Sequence, residues 1–474
     1  MIGRERERKI FNDCIDSDKS ELITVLGRRR VGKTYLIRKA CERNIVFEVI
    51  GIQNGTIAEQ MNHFAEQLKT YFNFEQKKKI ITWLQAFALL KTCLEKSKKK
   101  SKKVLFFDEV PWLGESSKRK FIEALGHFWN TWAVNNNIVI ILCGSAASWI
   151  VKHVVNSKGS MYNRVTKKIM LQPFTLYEVD LFLKAKGMHL DEYQIMQLYM
   201  ALGGIPHYLD QVQTNKSIAE NLTDICFDKL GLLHDEFDNL YKALFTNHNN
   251  YIAVIRSLAQ SKKGLTRQEI INATGLTDGG SFTQILKDLV QCDFIIEQHP
   301  FSKRKRDIQF RLIDEFSLFY LRFVDGQNTT GKTYWQQTMG SQIYKIWSGY
   351  AFENICFRHQ DQILKATKLE AILTSFSSFY IQATDELPGT QIDMVLDRAD
   401  GVVNLFEIKF YKEPVIITND MAQKLRTKIA VFKASTLTKK QVFVSMISIY
   451  GTVPNKYSNG ILAHDISGRD LMVK

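Results

Sequence analysis

Continuous apolar runs, separated by stretches of helical periodicity, dominate the first 180 residues. ELITVL (21–26), IVFEVIGI (45–52), the run VLFFDEV that starts at Val104, IVIILCG (138–144) and KKIMLQPF (167–174) each read as a short strand. TYLIRKACERN and the segments from about 56 to 95 repeat their apolar positions at helical spacing. Strands that are apolar at successive positions are buried on both faces, as in a parallel sheet covered by helices. Residues 1–180 are therefore expected to form an α/β domain.

The pattern then changes. LYEVDLFLKAKG, LDEYQIMQLYMALGG and IPHYLDQVQ are helical and predict a helical lid, 181–245. Residues 246–330 read helix, helix, helix, hairpin, the order of a winged helix-turn-helix. The polar, glycine-bearing stretch 325–333 is expected to be a linker. Residues 334–474 begin with the helix SQIYKIWSGYAFENICFRHQ. Strand candidates SSFYIQA, IDMVLDR and VVNLFEIKF follow, then the helix NDMAQKLRTKIAVFKA and the strand QVFVSMIS. Asp400-Gly401 is a hairpin turn signal.

Composition adds three expectations. The net charge of +15 points to a polyanionic partner, nucleic acid before membrane, with DNA favoured. The seven cysteines include no Cys-x-x-Cys pair, which argues against a disulfide framework or structural zinc. The N-terminus MIGRERERKIF lacks an apolar signal core, and no run approaches the roughly 18 apolar residues needed to span a bilayer. A cytoplasmic protein without a membrane partner is expected.

The strongest chemical signal is Gly27-Arg28-Arg29-Arg30-Val31-Gly32-Lys33-Thr34, the GxxxxGK[ST] phosphate loop, followed by Tyr35. A strand delivers it and a helix starts at Lys33, so main-chain N–H groups face a phosphate at the positive end of a helix. The cofactors predicted are ATP and Mg2+. Lys33 is expected to bridge the β- and γ-phosphates and Thr34 to offer its hydroxyl to Mg2+. Asp108 ends an apolar strand and is expected to hold the same ion; Glu109 would orient or deprotonate the attacking water. Ser145, after IVIILCG, reads either as a γ-phosphate sensor or as a helix N-cap. Arg164 reads either as an arginine finger, acting in cis or in trans, or as a solvated arginine.

Together these motifs resemble the archaeal-type, STAND-like P-loop ATPases. Ile2-Gly3-Arg4-Glu5 looks like the box that opens such chains near the adenine. Gly203-Gly204-Ile205-Pro206 resembles their lid motif, whose proline lies over the nucleotide, so the resemblance places Pro206 among the nucleotide-binding residues. Arg311-Leu312-Ile313-Asp314-Glu315-Phe316 is similar to the segment that follows the ATPase in that group. Asn163 stands where relatives often carry glycine, and Ser145 stands where many carry asparagine. The resemblance allows an oligomer.

Asp393, in IDMVLDR, and Glu407-Ile408-Lys409, in LFEIKF, fall on strand candidates joined by a tight turn. Alternation sends Glu407 and Lys409 to one side of the sheet. Two carboxylates can bind a hard cation, and Glu353 on the preceding helix can add a third. With Lys409 the group can activate water for attack on a phosphodiester. The order of elements resembles the PD-(D/E)xK nuclease-like fold, although Thr390-Gln391-Ile392 replaces the proline expected before the aspartate. The hairpin tip Ser302-Lys303-Arg304-Lys305-Arg306 and the lysine run 96–103 suit phosphate contact. Gln284, Lys287 and Asp288 on the third helix are poor material for base readout.

The function expected is an ATP-driven switch acting on nucleic acid, which a metal-dependent C-terminal domain would bind or cut. The alternative is an ATP-dependent DNA-binding or regulatory module whose nuclease-like domain is inert. A third reading, a ring-forming protein-remodelling machine, uses the same ATPase.

Overall fold

A computed structural model describes residues 1–75, 78–97, 101–116, 120–301, 307–326, 334–385 and 387–474. The chain divides into two compact units, Met1–Gln172 and Pro173–Lys474. The first therefore closes short of residue 180. The tip 302–306, the linker stretch 327–333 and three residues of the lysine run, 98–100, lie outside the described residues.

The first unit is built on a parallel sheet of β1 (Glu21–Leu26), β2 (Ile45–Ile50), β3 (Lys103–Asp108), β4 (Ile138–Cys143) and β5 (Lys167–Met170). Their spatial order is β2-β3-β4-β1-β5. The three central strands are buried at almost every position, which explains their unbroken apolar runs. Helices Ile57–Phe72, Trp83–Lys96 and Lys120–Thr131 bring Phe64, Trp83, Phe87, Phe121 and Phe128 together with Phe47 of β2 and Phe107 of β3. Several ring pairs meet edge-on or tilted at centroid distances of 4.8–5.8 Å, the preferred geometry of packed aromatics. This cluster fixes β3 and so the position of Asp108 at its carboxyl end.

The second unit opens with helices Leu176–Ala185 and Glu192–Leu202. Gly203 and Gly204 end the latter. A Cβ on Gly204 would lie 1.9 Å from the Phe174 carbonyl oxygen, so the residue has to be glycine. The Phe174 N–H in turn donates to the Gly204 carbonyl at 2.6 Å.

Helices His248–Ala259, Arg267–Thr274 and Gly280–Gln291 surround a small antiparallel sheet, order β6-β8-β7, formed by β6 (Leu265–Thr266), β7 (Ile295–Gln298) and β8 (Gln309–Leu312). Beyond them, a mixed sheet contains β9 (Thr374–Ile381), β10 (Thr390–Arg398), β11 (Val402–Lys409), β12 (Gln441–Ser448) and β13 (Leu462–Ile466), in the order β13-β12-β11-β10-β9. β10 pairs antiparallel with both β9 and β11, whereas β12 pairs parallel with both β11 and β13. Helix Gln342–Arg358 precedes this sheet. Helix Asn419–Thr436 crosses between β11 and β12 and buries Leu425 and Phe432 against Phe379, Val395, Leu405 and Val444. No described helix is long and apolar enough to cross a membrane.

Arg358, at the end of helix Gln342–Arg358, is buried and joins three segments. It donates to Asp293 at 2.6 Å, to Glu315 at 2.9 Å and to the Ile313 carbonyl at 3.0 Å. Its neighbour His359 accepts from the Leu176 N–H through Nε2 at 3.0 Å, while Nδ1 lies 2.8 Å from the Ile355 carbonyl. Both contacts together require the neutral ring with its proton on Nδ1. Burial lowers the pKa of His359 to about 4; the Ile355 carbonyl acts against the shift and the Arg358 charge adds to it.

A histidine depressed in this way stabilises the fold fully above its unfolded pKa of 6.5 and loses that contribution as pH falls towards 4. The loss amounts to about 3 kcal/mol. Glu315, which burial raises to about 7, acts with the opposite sign, so the comparison has to be made between variants. The difference in unfolding midpoint between wild type and His359→Gln is expected to narrow as pH drops from 6.5 to 4. A pH-independent difference in thermal melts would contradict this.

Candidate functional site

In the first unit the chain leaves β1 directly into the loop. Gly27 has φ of 145°, and a Cβ there would lie 2.5 Å from the Leu171 carbonyl oxygen. Glycine lets the loop start against the backbone beyond β5. Arg30 and Gly32 also have positive φ, and helix Lys33–Cys41 begins immediately after. The loop thus ends on a run of N–H groups that have no partner within the helix. The Lys33 ammonium is buried and donates to the Gly27 and Arg28 carbonyls at 2.9 Å each. Arg4 donates to the Val31 carbonyl at 3.3 Å, which places the Ile2–Glu5 segment against the same loop. Tyr35 is exposed, and Arg29 lies on the surface of the loop.

The acidic pair arrives from β3, two strands away across β4. The Thr34 hydroxyl donates to Asp108 Oδ2 at 2.6 Å. A hydroxyl and a carboxylate in direct contact are a hard-oxygen pair of the kind Mg2+ takes. Glu109 has φ of 46°, and its Oε2 accepts from both the N–H and the hydroxyl of Ser145 at 3.0 Å. Ser145 follows β4, between the strands that carry the loop and the acidic pair. Its hydroxyl is engaged with Glu109, and the N-cap of the next short helix is Ala146. Arg164 lies exposed in the turn ahead of β5. Among the described residues it makes no hydrogen bond to Lys33, Thr34, Asp108 or Glu109. Pro206 starts a short helix in the second unit.

A second group of charges forms at the mixed sheet. Pairing of Met394 with Phe406 sets Asp393 beside Glu407, and Asp393 Oδ2 accepts from the Ile408 N–H at 2.9 Å. Glu407 is clamped by two ammoniums, Lys409 at 2.7 Å and Lys428 at 2.6 Å. Glu353 lies 3.3 Å from Arg311, whose Nε donates to Asn354 at 2.5 Å. Burial, followed by the Asp393 charge, pushes Glu353 up to about 7. Asp393 is raised by burial and by Glu407. Burial acts to raise Glu407 as well, yet Lys409 and Lys428 hold it below the usual carboxylate range. Among the described residues, no three acidic, histidine or cysteine side chains converge as a metal cage. A cation here would rest on Asp393 and Glu407.

Sequence reasoning missed Lys428, which sits on a different element from the Glu-x-Lys pair, and the partners of Arg311. No spacing rule connects either to Asp393. On the third helix, Gln284 donates to Asp288 at 2.7 Å, so this pair is engaged within the chain.

Residues 1–212 match the model of an ATPase domain found predominantly in Archaea. A protein of Methanocaldococcus jannaschii, described only as uncharacterized, is 24% identical over 333 residues, which cover 68% of this chain and 69% of that protein. A Walker-type ATPase of Pyrococcus abyssi shares the fold, with a TM-score of 0.51 at 18% identity over 68% of this chain and 96% of that one. The ORC2 protein of Aeropyrum pernix, solved with ADPNP and ADP, gives a TM-score of 0.41 at 13% identity over 72% of this chain and 96% of that one. Residues 1–212 therefore carry a P-loop ATPase domain, built on the parallel sheet.

Proposed function

We propose that the protein is an ATP-driven switch that acts on nucleic acid, DNA ahead of RNA, through its second unit. In the ATPase site the loop amides and Lys33 hold the β- and γ-phosphates. Thr34 and Asp108 hold Mg2+, which when bound neutralises charge on the phosphates. Glu109 orients the attacking water. Ser145 holds Glu109 Oε2 by two hydrogen bonds, which leaves the Oε1 oxygen to orient a water. Arg164 serves as a finger only if it moves or meets a second copy; Pro206 is assigned to the nucleotide only by the likeness of Gly203–Pro206 to the lid motif.

Residues 246–330 act as a winged helix. Support comes from the three helices, the β7–β8 hairpin and the order of elements. With Gln284 and Asp288 bonded to each other, contact through the nucleic-acid backbone fits better than base readout.

The nuclease-like reading of 334–474 is carried by one observation: Asp393, Glu407, Lys409 and Lys428 converge on adjacent strands and a crossing helix. Carboxylates with ammonium partners suit the charge that develops on a phosphodiester under attack. Asp393 and Glu407 would hold a cation that polarises the phosphate, Lys409 would stabilise the developing charge, and Glu353 would add a carboxylate at the rim. One feature favours the inert alternative: both Glu407 oxygens are already occupied by lysines.

Lys33→Ala is expected to abolish ATP binding in calorimetry while leaving the melting profile unchanged. Glu109→Gln should retain binding and lose hydrolysis by about 100-fold or more. Unchanged nucleotide affinity in Lys33→Ala would refute the loop assignment. Incubation of the full chain with plasmid and Mg2+ or Mn2+, with and without ATP, tests the C-terminal reading. Cleavage that disappears in Asp393→Ala supports it, and no cleavage under any condition supports the inert module.

A further inference from the structure

We propose that the cleft beside Asp393 takes a single strand of nucleic acid, with a base stacked on Tyr380, and excludes a duplex. This rests on the nucleic-acid reading above and adds the substrate form. The cleft has a volume of about 490 Å3 and lies within the second unit. Lys262, Lys263 and Arg311 line one side, and Tyr380, Gln391 and Asp393 of β9 and β10 line the other. Phe301 helps close it: its N–H donates to the Ser378 carbonyl at 3.1 Å, and its ring packs 4.9 Å from Phe432.

Shape decides between the two forms. A protein reads a duplex by inserting a protruding helix or ribbon into a groove about 12 Å wide. Here the protein is concave instead, and the volume is that of a small-ligand pocket, which holds a nucleotide or two. Unpaired bases expose their faces, and an aromatic ring beside a cationic track is the usual platform for them.

Tyr380 meets those requirements. It lies on the cleft side of β9, 39% exposed, while its neighbour Phe379 is buried in the sheet core. The Lys263 ammonium stands over this ring, 4.9 Å from its centre, so a base that stacks on the same face moves it aside towards the neighbouring phosphate. Tyr380 pairs with Gln391 across the strands. Asp393 is two positions further along β10, roughly 6.6 Å away. A base on Tyr380 therefore brings a backbone phosphate towards Asp393. Glu269, Asp307, Glu353 and Asp393 line the cleft as well, and Arg311 is paired with Glu353, so Lys262 and Lys263 are the cations that draw a phosphate in.

The test is fluorescence anisotropy on the full chain in EDTA at fixed salt. Its probes are a single-stranded oligonucleotide of about 12 nucleotides and the blunt duplex of the same sequence. Single-strand binding should depend on Tyr380 and duplex binding should not, since a duplex can also dock on the winged helix. Tyr380→Ala should weaken single-strand binding by about 5- to 150-fold, and Tyr380→Phe, which keeps the ring, should restore it. A Tyr380→Ala variant that loses duplex and single-strand affinity to the same extent would overturn the inference. So would a Tyr380→Ala variant whose single-strand affinity equals that of Tyr380→Phe. In either case the nuclease-like reading, decided by plasmid cleavage and Asp393→Ala, is untouched. Binding of neither probe would overturn both.

Discussion

The close approach of Gly27 to the Leu171 carbonyl governs the nucleotide site. It fixes where the chain turns out of β1, at the carboxyl end of a parallel sheet whose central strands are fully buried. From that point the loop has little freedom. Lys33 reaches back to two of its carbonyls, Arg4 holds Val31, and Thr34 meets Asp108 beyond the end of β4. Any side chain at position 27 would push against backbone and carry the loop away from Asp108. Packing of Phe107 among the helix aromatics fixes the partner side, so the two halves of the site are positioned independently and meet at one hydrogen bond.

Arg358 has the corresponding role in the second unit. A buried guanidinium costs several kcal/mol of desolvation, which is recovered only when its donors are satisfied with good geometry. Asp293, Glu315 and the Ile313 carbonyl satisfy them, and each comes from a different stretch of chain than Arg358 itself. Removing the arginine alone would leave two acidic groups without a counter-charge. This explains why the exit of the small sheet, Arg311–Phe316, is rich in charged residues yet largely buried: Arg311, Asp314 and Glu315 are all shielded from solvent. Arg311 also stacks its guanidinium 4.9 Å from the rings of Tyr350 and Phe357.

Much of this was legible in the sequence because the signals were local. The apolar runs at 21–26 and 138–144 became β1 and β4 within a residue, and the loop motif lies on the strand-to-helix turn that its chemistry requires. Thr34, Asp108 and Glu109 are recoverable because each is tied to a strand end. β13 was not legible: it is short, exposed at alternate positions and on the sheet edge, and its sequence LAHDI carries no continuous apolar run. Lys428 and the Tyr380 cleft were invisible for another reason. They depend on which helix crosses which face and on where the hairpin segment at Phe301 docks, and neither is encoded in the spacing of nearby residues. Ser145 could be placed only by geometry, since a phosphate sensor and a helix cap call for the same residue type; its hydroxyl donates to Glu109.

The charge arrangement at the mixed sheet bears on how a metal would enter it. Asp393, Glu407 and Glu353 face Lys409, Lys428 and Arg311, so three carboxylates are matched by three cations. A matched set needs no divalent ion to be stable, and an ion added alone would have to displace at least one ammonium from Glu407. A phosphodiester changes that balance, because its negative charge gives a released lysine a new partner. On the nuclease-like reading, the substrate would therefore bind first and free a carboxylate oxygen for the metal. The elevated pKa of Glu353 fits the same logic: buried and beside Asp393, it gains most from a cation that follows the substrate.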